Sequence, residues 1–147
     1  MTIPIPARQW FALFILSAVP AFSAHRVLTI AAPTVVRPGS AVHVMVTAST
    51  DANDGEQIGF FHSEYSIDGG KTWLPVYAEK VGTAATRPVD FTAGADGTKA
   101  LVRSRMAFRG GKAGYVDYTG APLAWDGSWS KWATPPAKTV SIIVTTK

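Results

Sequence analysis

Apolar and polar residues alternate over short stretches along most of this chain, and the period is two. Residues 41–47 give the clearest case, with Val42, Val44 and Val46 on one face and His43, Met45 and Thr47 on the other. A β-rich run at 27–31 precedes it, separated by the turn residues Arg37-Pro38-Gly39-Ser40. After a polar loop at 51–56, residues 58–67 read as a third strand. Phe61, Tyr65 and Ile67 fall on one face of it, with Phe60, His62 and Glu64 on the other. Residues 73–78 return as a strand, 81–88 read as a polar connection, and Val89 and Phe91 mark another short strand. Residues 99–109 form the longest run, with Ala100, Val102, Met106 and Phe108 inward and Arg103, Arg105 and Arg109 outward. A long connection at 115–136 leads to a last strand at 138–145, which turns Val140, Ile142 and Val144 inward. About seven short strands with turn signals between them, no helical period and no internal repeat predict one all-β antiparallel sandwich.

The stretch Ser66-Ile67-Asp68-Gly69-Gly70-Lys71-Thr72-Trp73 carries the most local information. Asp-Gly-Gly between two alternating runs predicts a tight hairpin, because glycine accepts a positive φ without steric cost. The Asp68 carboxylate is placed to accept amides of the turn it opens. Ser66 and Thr72 flank that turn, and Trp73 is expected to plug it from the core side. The pattern Ser-x-Asp-x-Gly-x-Thr-Trp closely resembles the Asp-box hairpin. That hairpin recurs in sialidase propellers and, as single copies, in immunoglobulin-like dimerisation domains of sulfite-oxidase-type enzymes and bacterial fibronectin-III-like modules. The Pro-Gly turn before a Val-x-Val-x-Val strand also resembles the opening of bacterial immunoglobulin-like modules. The resemblance spans residues 26–146 and implies an immunoglobulin-like sandwich.

The first two dozen residues depart from this pattern. Arg8 precedes an apolar run at 10–19, Pro20 breaks it, and Ala21 and Ser23 place small residues at −3 and −1 of a cleavage site. The run is shorter than the roughly 20 residues a membrane span requires. Residues 1–23 therefore read as a secretory signal peptide and 24–147 as the domain, in a periplasmic or extracellular protein. The absence of cysteine excludes disulfides, thiol catalysis and Cys-ligated zinc. A net charge of +4 without a Lys/Arg run gives no footprint for nucleic acid.

Three groups of residues are candidates for chemistry. The 115–136 connection carries Tyr115, Asp117, Tyr118, Trp125, Asp126, Trp129 and Trp132. A connection this long in a compact domain usually serves a function, and exposed aromatic rings form binding hot spots. The bland alternative is that Trp125, Trp129 and Trp132, at i, i+4 and i+7, are buried together by one helical turn. The histidines His25, His43 and His62 form the second group. A cut after Ala24 would make His25 the mature N-terminus, and its amine and imidazole could chelate copper with a second imidazole. That arrangement resembles small secreted copper-binding sandwiches. Phe22 at −3 and the lack of a His-x-His spacing speak against it. The third group is the stripe Arg103, Arg105 and Arg109, expected to pair across strands with Glu64 and His62. Nucleophile, phosphate-loop and metalloprotease motifs are missing, although Glu64, Asp68, Asp117 and Asp126 leave a small glycan-acting enzyme as a third reading. The expectation is a secreted, non-catalytic module without a cofactor, contacting a polysaccharide or protein surface through the tryptophan connection. A periplasmic copper protein is the runner-up.

Overall fold

The structure is a computed structural model that describes residues 23–124 and 135–147. It is an immunoglobulin-like β-sandwich, with no helix among the described residues. One sheet holds β1 (Arg26–Ala31), β3 (Ala41–Thr50) and β6 (Ala84–Thr92) in the order β1-β3-β6. The other runs β2 (Val35–Val36), β9 (Lys138–Val144), β7 (Lys99–Arg109), β4 (Gln57–Ser66), β5 (Leu74–Glu79), with β8 (Val116–Asp117) also paired to β7. Seven of these strands correspond to the runs of alternation. The two-residue strands β2 and β8 carry too few positions for a period to show.

The alternation places the core between the sheets. Leu28, Val42, Val44 and Val46 from the first sheet meet Phe61, Val102, Met106, Phe108, Ile142 and Val144 from the second, all buried. Two serines share this interior. Ser63 Oγ lies 2.7 Å from Tyr77 Oη and 2.9 Å from Ser104 Oγ, and Ser104 donates to the His62 carbonyl. Burial pushes the Tyr77 hydroxyl up to about 12, so it stays protonated within this chain of bonds.

Residues 84–88, expected as part of a connection, belong to β6 instead and pair with Met45–Ser49 of β3. Pro88 is tolerated because β6 is an edge strand, where a missing N–H removes no interior ladder bond. The first strand of the sandwich is anchored by charge. Glu56, in the presumed polar loop, is only 1% exposed, and Arg26 at the head of β1 binds it through Nε at 3.0 Å and Nη2 at 2.5 Å. Thr50 donates to the same carboxylate at 2.6 Å, and the Arg26 guanidinium lies 5.5 Å from the centre of the Phe108 ring.

Candidate functional site

The Ser66–Trp73 turn is built from its own side chains. Asp68 Oδ1 accepts the amides of Lys71 and Thr72, each at 3.0 Å, and the Ser66 hydroxyl at 2.7 Å. The Thr72 hydroxyl donates to Asp68 Oδ2 at 2.6 Å, and the Gly70 amide donates to Ser66 Oγ at 2.8 Å. Gly70 has a φ of 90°, and a Cβ there would stand 3.2 Å from Leu101 and 3.6 Å from the Trp73 ring. The Thr72 hydroxyl and amide, then the Ser66 hydroxyl, hold the Asp68 carboxyl well below the usual range. Its contribution to stability is present above the unfolded value near 4 and is lost as pH falls toward the folded value. Asp68→Asn is therefore expected to lower the melting temperature at pH 7 and to flatten its fall below pH 4. Identical melting curves for variant and parent across that range would refute the assignment.

Trp73 does not plug the core. It lies partly buried on the outer face of the β4–β7 sheet, with the Arg103 guanidinium stacked 3.7 Å from its ring centre. Leu74 pairs with Tyr65, which brings Trp73 opposite Ser66, and a bulge at Ser63/Glu64 then leaves Val76 unpaired and shifts the register farther along β5.

On this outer face β4 and β7 pair Glu64 with Arg103 and His62 with Arg105, as expected for the arginine stripe. Glu64 accepts Arg103 Nε in a short bond and Arg105 Nη1 at 3.3 Å, while His62 Nε2 lies 3.7 Å from its other oxygen. Burial pushes the Glu64 carboxyl up, but Arg103, His62 and Arg105 together outweigh it and leave it below its ordinary value. His62 stacks on Phe60 with ring centres 5.6 Å apart, and its buried Nδ1 has no partner among the described residues. Burial, with help from the two arginines, lowers the His62 pKa despite Glu64. The folded state thus favours neutral His62. As pH falls below the ordinary value near 6.5, the unfolded chain binds the proton first and stability drops. Urea titrations between pH 7 and pH 5 should show this slope in the parent and a shallower one in His62→Gln. Equal slopes would show that His62 does not contribute.

Tyr115, Asp117 and Tyr118 occupy three different environments. Tyr115 is 44% exposed. Tyr118 packs against the core cluster. Asp117, expected to face a ligand, is only 4% exposed and heads a turn. Its Oδ1 accepts the Thr119 amide and hydroxyl at 2.7 and 2.6 Å and the Ala121 amide at 3.1 Å. The Asp117 carboxylate is thus engaged in its own turn. After the turn, Leu123 closes over Phe60 and Ala107, so Phe60 is buried on what the pattern makes an outer face. Trp125, Asp126, Trp129 and Trp132 lie outside the described residues.

Of the three histidines, His25 stands beside Asp51 where β1 begins. His43 projects from the outer face of the β1-β3-β6 sheet, where it meets Asp90 at 2.5 Å, and His62 from the outer face of the other sheet. Two packed sheets stand about 10 Å apart, so His43 and His62 do not approach one another. Among the described residues no three His, Cys, Asp or Glu side chains gather as a metal site, and no helix is long and apolar enough to cross a membrane. The residue that pattern reading missed is Glu56. Its signal was a single carboxylate directly before an apolar strand, flanked by Asp54 and Gly55. Compared with known proteins, the chain matches no protein-family model and no curated protein.

Proposed function

We propose that the chain is an exported, non-catalytic binding module that contacts a glycan surface at the end of the sandwich where the 115–136 connection leaves β7. The observation that carries this reading is Tyr115, a residue 44% exposed at the start of that aromatic connection. The carboxylates Glu64, Asp68 and Asp117 are engaged in ion pairs and turns, which supports a binding role over hydrolysis. Flat, exposed aromatic rings stack on sugar faces at little conformational cost. Pull-down on insoluble glycans, with acrylamide quenching of tryptophan fluorescence, tests the reading. Tyr115→Ala is expected to keep the parent melting temperature and to weaken retention severalfold. Unchanged retention, or retention only on a protein-coated surface, would refute the glycan reading.

A further inference from the structure

The chain enters the sandwich beside an acidic turn. Ser23 and Ala24 line a cavity of about 220 Å³ with Asp51, Ala52, Asn53 and Asp54 of the β3–β4 turn. The His25 amide donates to Asp51 Oδ1 at 2.6 Å, and the Asp51 amide donates back to the His25 carbonyl at 3.3 Å. The same segment also borders a cavity of about 320 Å³, lined by Arg26, Tyr118, Thr119 and Gly120. The incoming chain is thus seated on Asp51 beside open space.

The local charge is unbalanced. Asp51 and Asp54 both line the first cavity, and His25 and Arg26 border the second. Arg26 is committed to Glu56, and Asp117 to its own turn. The Lys112 amide binds Asp54 at 2.7 Å and holds its carboxyl below the ordinary value.

We propose that Asp51 receives the α-ammonium group that leader removal creates on Ala24, so that export processing fastens the start of β1. The inference rests on reading residues 1–23 as a cleaved leader. Hydrolysis of the Ser23–Ala24 bond by a signal peptidase consumes one water, sends the new carboxylate away on the leader and leaves a protonated amine on Ala24. That amine is one residue from the amide already bound to Asp51. The contact needs the protonated amine, whose ordinary value lies near 8, so it is lost once alkaline pH removes the proton.

The test uses the processed chain with its α-amine free or selectively acetylated, melted at pH 6.5 and pH 10, with and without Asp51→Asn. Acetylation should lower the melting temperature of the parent at pH 6.5, and do so neither at pH 10 nor in Asp51→Asn. An acetylated chain that melts with the free one at pH 6.5, or an equal drop in Asp51→Asn, overturns the contact. The mass of the exported chain separates this failure from the other: a chain beginning at Ala24 supports the leader reading, and a chain that keeps residues 1–23 overturns both.

Discussion

Glu56→Ala is expected to destabilise the domain by about 3–5 kcal/mol, a large share of the roughly 5–15 kcal/mol that holds a domain of this kind. Glu56 is 1% exposed and Arg26 has a side chain only 10% exposed. Removing the carboxylate leaves the guanidinium buried against Phe108 with its main partner gone, and deprives Thr50 of its acceptor. The cost comes from the stranded charge rather than from the net worth of the pair, because desolvation offsets much of the attraction. Arg26→Met combined with Glu56→Leu should therefore recover most of the loss. Urea melts of both variants decide the matter. A single variant as stable as the parent, or a double variant no better than the single, would show that the pair is not the buried anchor of β1.

Phe61→Ala is expected to cost about 3–5 kcal/mol, the range for emptying a buried aromatic site. Phe61 is fully buried at the centre of β4, with the Tyr77 ring 5.0 Å away. It belongs to the core cluster to which both sheets contribute, and close-packed neighbours relax only in part around a cavity. Phe61→Leu retains most of the volume and should cost less than about 1.5 kcal/mol. Equal losses for the two variants in chemical denaturation would contradict a cavity as the cause.

Much of the architecture was legible along the chain. A strand buried on one face writes its orientation into alternate residues, so Val42, Val44, Val102 and Phe108 could be assigned inward before any partner was known. The outward assignment of His62, Glu64, Arg103 and Arg105 followed from the same period, and so did their pairing once β4 and β7 were taken as neighbours. The Ser66–Trp73 turn was legible because Asp68 finds its partners within four residues. The candidate contact surface was only partly legible. Tyr115 and Asp117 stand two positions apart in one connection, and nothing in their spacing separates the exposed ring from the buried turn-former.

Local periodicity by itself determined the fold class, the strand faces and the turn chemistry, since each depends on neighbours in sequence. Tertiary structure alone decided the rest. It set Trp73 under Arg103 on the outer face of the sheet, and His43 and His62 on opposite sides of the sandwich. It also paired Glu56 with Arg26 across 30 positions. The physical reason is common to these cases: the free energy of a charge, a ring or a metal ligand is set by what packs against it, and contacts between sheets join residues whose separation in sequence carries no period.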